Sequence, residues 1–282
     1  MSAVLMEGRG LAASVLDEVA AGVRRRLEEG RSQPYLAAVL VGDDPGSATY
    51  VRMKRRDCER VGIASSDHHL PAQSHTQDVI QLVSELSRDQ RVSGVLVQLP
   101  LPRQVDTAQV LEAVDPAKDV DGLHPFNAGR LLLGEPGLEP STPAGIIGLL
   151  DHYAVAIGGR RATVVGRSNI VGKPVAVMLL RRDATVTVCH SKTADLAAAC
   201  READILVVAI GRPHAIRAAM VKPGAAVVDV GVNWIAGEQV GDVHPEVAEK
   251  AAFLSPSPGG VGPLTRAMLV RNTLLAEERR RP

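Results

Sequence analysis

The chain has 282 residues, 45% of them hydrophobic, with 32 Lys or Arg balanced by 32 Asp or Glu. That length and apolar content suit one large or two ordinary domains with a sizeable core. Zero formal charge and only 2% aromatic residues argue against a nucleic-acid surface, a base-stacking platform or a polybasic membrane patch.

Residues Gly10 to Glu29 read as an amphipathic helix, because Leu11, Val15, Val19, Val23 and Leu27 recur at helical spacing. After Pro34, the apolar run Leu36 to Val41 ends at Gly42 and suits a strand buried on both faces. The loop Asp43 to Ser47 leads into a helix carrying Tyr50, Lys54 and Cys58 on one face, flanked by Val51, Met53 and Val61. Strand, turn and helix make the first half of a βαβ unit. A second helix is predicted over Thr76 to Arg88, then a buried strand ending abruptly in Gln98-Leu99-Pro100-Leu101-Pro102. A short helix over Thr107 to Val114 precedes the turn-rich link Pro116 to Pro125, which holds Asp119, Asp121 and Gly122. Gly134 to Pro140 reads as a domain linker, and Thr142-Pro143 as the cap and first residue of a helix reaching Leu150. Beyond it, strands at Thr163 to Val165, Thr185 to Cys189, Ile205 to Ile210 and Ala226 to Val230 alternate with helices, including one over Ala194 to Glu202. That rhythm predicts a parallel doubly wound sheet. A last helix is expected over Thr265 to Glu278.

Three places on this framework invite chemistry. Lys54 is the one lysine inside its helix's apolar stripe, so it either snorkels to water or works with a depressed pKa. Gln98 falls at the carboxyl end of a strand, where open α/β sheets place ligands, and an amide in so apolar a run needs a partner. The loop Gly166 to Gly172 reads G-x-S-x-x-x-G, one residue longer than the dinucleotide fingerprint. It nevertheless follows a strand and opens a helix, where backbone N–H groups favour a pyrophosphate. The next strand ends in Cys189-His190-Ser191-Lys192, with no acid to take ribose hydroxyls. His190, Ser191, Lys192 and the loop's Arg167 suit a ribose phosphate instead, so NADP is expected over NAD. The stretch Pro256 to Thr265 has glycines at 259, 260 and 262 that let backbone approach a ligand closely.

Cys58, Cys189 and Cys200 share no metal or redox spacing, and the eight histidines form no metal motif. The first residues lack a basic region followed by an apolar run, and no uncharged apolar run reaches ~18 residues. The expectation is a cytoplasmic protein without metal, nucleic-acid or membrane partner.

Taken together, Tyr50-Val51-x-x-Lys54, Val97-Gln98-Leu99-Pro100-Leu101-Pro102, Lys118-Asp119-Val120-Asp121-Gly122, Val165-Gly166-Arg167-Ser168-x-Ile170-Val171-Gly172 and Pro258-Gly259-Gly260-Val261-Gly262-Pro263 resemble the bifunctional methylenetetrahydrofolate dehydrogenase/methenyltetrahydrofolate cyclohydrolase family. They come in the family's order and span nearly the whole chain. The resemblance implies an α/β protein of two domains. An N-terminal folate-binding lobe would cover 1–138, rejoined by the C-terminal helix 265–282, and a Rossmann-type NADP-binding domain would cover 139–264. It implies that NADP⁺ takes a hydride from methylene-tetrahydrofolate, and that water then opens the methenyl cation to formyl-tetrahydrofolate, in one cleft between the domains. By the same resemblance Lys54 would be the catalytic lysine, Gln98 its hydrogen-bonding partner, Asp121 the pterin holder and Tyr50 the residue that stacks on or positions the folate. Leu99, Pro258, Gly259, Gly260, Val261 and Thr265 would line the substrate. Gly166, Arg167, Ser168, His190, Ser191 and Val232 would hold the nucleotide. A homodimer is implied as well. Ser141, Ser255 and Ser257 depart from the residues usual in the family at those positions. The alternatives are another two-domain NADP-dependent dehydrogenase without folate specificity, with Lys54 as its acid/base, and a nucleotide-binding regulatory module without catalysis.

Overall fold

The structure is a computed structural model and describes residues 2–280. In chain order its elements are β1 (Val4–Leu5), α1 (Arg9–Glu28), β2 (Tyr35–Val41), α2 (Pro45–Val61), β3 (Ala64–Leu70), α3 (Thr76–Arg88), β4 (Gly94–Val97), α4 (Thr107–Glu112), α5 (Pro125–Leu133) and α6 (Ser141–His152). There follow β5 (Arg161–Val165), α7 (Gly172–Leu180), β6 (Thr185–Cys189), α8 (Leu196–Arg201), β7 (Ile205–Val208), β8 (Ala226–Asp229), β9 (Asn233–Ile235), β10 (Glu238–Val240), β11 (Phe253–Leu254) and α9 (Val261–Arg279). They fall into two compact units. One takes the described residues up to Ala12 with Thr142–Thr265, the other Ala13–Ser141 with the described residues from Arg266. The N-terminal lobe was expected to begin at residue 1. The described residues up to Ala12 group instead with the six-stranded sheet, in which β1 pairs with β11.

In the first unit six strands run in the order β1-β11-β8-β7-β5-β6, every pairing parallel. The runs Ile205–Val208 and Ala226–Asp229 are buried at every position, as strands covered on both faces must be. From β5 the chain goes first to β6 on one side and then to β7 on the other. Connections leaving β5 and β7 therefore diverge, and a crevice opens at the carboxyl ends of the strands. The hairpin β9–β10 turns on Ala236 (φ 50°) and Gly237 (φ 85°), the two left-handed positions that a two-residue hairpin loop demands.

In the second unit three parallel strands run β3-β2-β4. Helix α2 crosses from β2 to β3, and α3 crosses from β3 to β4. Val39, Val41, Val79, Val83, Val95 and Val97 meet in its core. Helix α9 is tied to this unit through Asn272, which donates to Val120 O (2.9 Å) and Glu139 O (2.8 Å). A buried Arg26–Glu277 pair at 2.6 Å adds a second tie.

Several elements differ from expectation. Strand β3 was not anticipated, since Ser65-Ser66-Asp67-His68-His69 carries no apolar alternation; it is a half-buried edge strand held by its ladder to β2. Helix α5 was not anticipated, since the turn-rich link ended at Pro125 and nothing was assigned between it and Gly134. Its start is His124-Pro125, where the His124 ring accepts from Phe126 N (3.0 Å), and its end is Gly134 at φ 76°. Helix α9 begins four residues earlier than expected. Pro263 is tolerated there because N–H groups in a first turn have no intrahelical partner.

Candidate active site

Helix α2 presents the lysine. Asp44 caps it by accepting from Ser47 N (2.7 Å), Pro45 opens it, and Gly62 (φ 83°) closes it. Such a cap satisfies an orphan backbone donor and pins the helix start. Ser47, Val51, Lys54, Cys58 and Val61 form the buried stripe. Lys54 is only 7% exposed, which excludes a lysine that snorkels into bulk water. Its Nζ donates to Gln98 Oε1 at 3.2 Å. Gln98, one residue past β4, donates from Nε2 to Leu99 O at 2.7 Å. That bond orients the amide so that its oxygen, an acceptor only, faces the amine. Tyr50 lies one helical turn before Lys54 and is half-buried.

Asp119 and Asp121 divide their labour. Buried Asp119 accepts from Leu123 N (3.1 Å), His124 N (2.8 Å) and Asn127 Nδ2 (2.8 Å), and so builds the turn. Gly122, at φ 68°, passes so close to Glu139 and Pro140 that a Cβ would lie 2.5 Å from their backbone. The turn delivers the half-buried Asp121 carboxylate to the electrostatic neighbourhood of Lys54. Burial lowers the Lys54 pKa, Asp121 and Cys58 oppose the shift, and Arg266 adds to it. Burial likewise raises Asp121, against Lys54 and with Asp119. Burial pushes the Cys58 thiol up to about 12, so it is a neutral wall rather than a nucleophile.

The nucleotide-side residues gather at the carboxyl ends of β5, β6 and β7. Gly166 (φ 124°) would put a Cβ 2.2 Å from Ala209 O, and Gly172 would put one 2.2 Å from Gly166 O. Both positions therefore require glycine. Ser168 Oγ accepts from Val171 N (3.2 Å) and Gly172 N (3.4 Å), which folds the loop onto the start of α7. A groove of about 290 Å³ is lined by Gly166, Arg167, His190, Ser191, Ile210 and Arg212, among others, with no carboxylate in its lining. His190 Nδ1 accepts from Lys192 N (3.1 Å), which leaves the Nε2–H of the neutral ring as a donor. Two guanidinium groups, an imidazole and a hydroxyl around a backbone cradle fit a phosphorylated dinucleotide. Val232 is exposed beyond the end of β8.

The final glycine stretch belongs to the same unit. Gly8 N donates to Gly259 O (2.9 Å), and a Cβ on Gly8 would collide with the Gly260 carbonyl. Gly259 is at φ 111°. Pro258 is exposed and Val261 buried. Thr265 Oγ1 lies 3.0 Å from Thr142 Oγ1. Ser257 Oγ donates to Gly231 O (2.8 Å), so this departure ties the stretch to the residues just after β8.

Family models match both parts of the chain. One, described as tetrahydrofolate dehydrogenase/cyclohydrolase, catalytic domain, covers residues 6–121. Its NAD(P)-binding domain counterpart covers 140–281. The chain belongs to the tetrahydrofolate dehydrogenase/cyclohydrolase family. The catalytic-domain match contains Lys54, Gln98 and Asp121, and the NAD(P)-binding match contains the glycine loop. Relatives span the full length. A bifunctional protein FolD from Anaeromyxobacter dehalogenans is 54% identical over 96% of this chain and 96% of its own. Another, from Halothermothrix orenii, is 51% identical over 97% and 98%. Among solved structures, the bifunctional FolD of Campylobacter jejuni superposes with a TM-score of 0.96 at 43% identity, covering 99% of this chain and 100% of that one. The methylenetetrahydrofolate dehydrogenase-cyclohydrolase of Trypanosoma brucei, solved with NADP and an inhibitor, gives 0.94 at 37% identity over 99% and 98%. A shikimate dehydrogenase at 11% identity and a TM-score of 0.54 shares the fold alone.

Family membership leaves visible what sequence reasoning missed. Arg266, in the first turns of α9, pairs with Asp57 at 2.9 Å and contacts Met53. Only folding brings residues 209 positions apart together. Arg212 lines the nucleotide groove, held by Asp242, which is fully buried and accepts from Ile210 N (2.7 Å), Gly211 N (3.0 Å) and Arg212 N (2.7 Å). The expected strand end after Ile210 was a signal for this loop, but nothing in the local pattern named Asp242.

Proposed function

We infer that this chain is a bifunctional one-carbon folate enzyme, oxidising methylene-tetrahydrofolate to methenyl-tetrahydrofolate with NADP⁺ and hydrolysing the product to formyl-tetrahydrofolate. Bound NADP⁺ supplies the hydride acceptor. Gly166 and Gly172 leave room for its pyrophosphate, while Arg167, His190 and Ser191 offer charge and donors to a ribose phosphate. The methenyl cation is already electrophilic, so hydrolysis needs a placed water and a base that works near neutral pH. Lys54 supplies it: the neutral amine takes a proton as water oxygen bonds to the one-carbon bridge, passes it to the ring nitrogen as the C–N bond breaks, and the remaining hydroxyl proton leaves to solvent as the formyl C=O forms. Gln98 holds the amine by its carbonyl oxygen. Asp121 accepts hydrogen bonds from the pterin, Tyr50 and Leu99 position the ring system, and Pro258 to Val261 with Thr265 complete the substrate-binding set. The same reading includes a homodimer in the cytoplasm, for which sedimentation should give about twice the 29.8 kDa chain mass.

The observation that carries this reading is one buried lysine bonded to the strand-end glutamine of a family-matched catalytic domain. The test is to mix the protein with methylene-tetrahydrofolate and either NADP⁺ or NAD⁺ and follow methenyl absorbance. A rise and then an enzyme-dependent decay are expected, faster with NADP⁺. No rise with either nucleotide would sink the reading. Arg167→Ala should weaken NADP⁺ at least ~10-fold more than NAD⁺, as loss of a charge-assisted phosphate contact requires; equal losses would remove the phosphate-reading role.

A further inference from the structure

The Lys54 amine lies within electrostatic reach of two groups of opposite sign, Asp121 and Arg266. From its own helix it meets Cys58, one turn on. From the end of β4 comes the Gln98 carbonyl, and from the turn ahead of α5 come Asp121 and, behind it, Asp119. From α9 comes Arg266, whose Nε is 2.9 Å from Asp57 Oδ2 and whose Nη1 rests on the Met53 sulfur. Met53 and Asp57 bracket Lys54 by one residue and three, so the guanidinium is seated beside the lysine's turn of helix.

We propose that Arg266, anchored by Asp57, is a positioning residue that keeps the Lys54 amine in its neutral, proton-accepting form. The inference rests on the reading of Lys54 as the proton carrier. A half-buried ion pair is a poor way to join two helices, because desolvating both charges costs about what their attraction returns, and apolar residues of similar volume serve as well. What a guanidinium does that a methionine cannot is set the field at a nearby amine. The Cys58 thiol, pushed up to about 12, is uncharged at neutral pH. That leaves Asp121, which favours the ammonium, and Arg266, which disfavours it, as the charges that contest Lys54 after burial has already lowered it. Asp57 points its charge at Arg266 and thereby holds the guanidinium in place.

The test titrates Lys54 in the intact protein by the ¹³Cε resonance of labelled lysine, assigned by its absence in Lys54→Met. Alongside it, the pH profile of methenyl decay is measured after subtracting the enzyme-free rate. Arg266→Met should raise the Lys54 pKa by about half a unit or more, the size expected for losing a nearby like charge. The double variant Arg266→Met with Asp57→Asn, which leaves no carboxylate unpaired, should do the same, and Arg266→Lys should restore it. The acid limb of the decay profile should move to higher pH by the same amount. Lys54 titrating unchanged in both variants would overturn the proposal. Should the resonance move while the rate profile stays, Arg266 acts as proposed and it is the proton-carrier role of Lys54 that fails.

Discussion

Lys54 shows how environment decides the use of a side chain. A lysine on a helix stripe has two outcomes, and 7% exposure with a carbonyl partner at 3.2 Å leaves the depressed-pKa outcome. The direction fits the proposed chemistry, since a base for water must be neutral near the working pH. Lys54→Met should therefore cut enzyme-dependent methenyl decay by about 10²-fold or more, the usual worth of a positioned acid–base group. Circular dichroism and the melting midpoint should stay near wild type, because Met fills a similar volume without a buried charge. Retained decay would remove Lys54 from the mechanism. Asp119 and Asp121 make the complementary point. Two aspartates two apart look alike in sequence, yet one has its oxygens taken by backbone and Asn127 donors, and the other acts electrostatically on the lysine.

At the scale of elements, function rides on how strands end. β4 stops where Gln98 must sit, and β5 and β7 stop where Gly166 and Ala209 nearly touch. Gly166→Ala would force a Cβ to 2.2 Å from Ala209 O at a left-handed φ of 124°. The strain should cost on the order of 1–3 kcal/mol, read as a lower denaturation midpoint, with nucleotide affinity lost as the loop is displaced. An unchanged midpoint together with unchanged NADP⁺ affinity would contradict the close-approach reading. Only the neighbourhood of the α2 start was legible beforehand: Asp43 to Ser47 reads as a loop, while Asp44 and Pro45 cap the helix and Gly62, which the pattern did not name, closes it. The cap at His124 was not legible, because a ring nitrogen standing in for an Asp oxygen is an uncommon choice.

Across the whole molecule, buried carboxylates tie distant loops. Asp229, 4% exposed, accepts from Gly231 N, Asp242 N and Val243 N. Burial, helped by the neighbouring Asp242, raises its pKa to about 6 against those three donors. A carboxyl raised in the folded state favours folding at low pH, and that contribution is lost as pH climbs from about 4 through 6. A shift of roughly two units is worth up to about 3 kcal/mol. The unfolding free energy of wild type minus that of Asp229→Asn should thus fall between pH 4.5 and pH 7. A difference that is flat or rises over that range would show Asp229 ionised throughout.

Residue order alone determined the alternation of strand and helix, the glycine loop and the absence of an acid after β6, because these depend on neighbours within a few positions. It also placed Tyr50, Lys54 and Cys58 on one face, since helical period is local. Strand β3 needed its partner β2, because its own side chains carry no pattern. The grouping of residues before Ala12 with the nucleotide-side sheet needed the β1–β11 pairing. Arg266 beside Asp57, and Asp242 beneath Arg212, join residues tens to hundreds of positions apart. No local period encodes such meetings; they exist only once packing and the pairing of buried charges have brought the segments together.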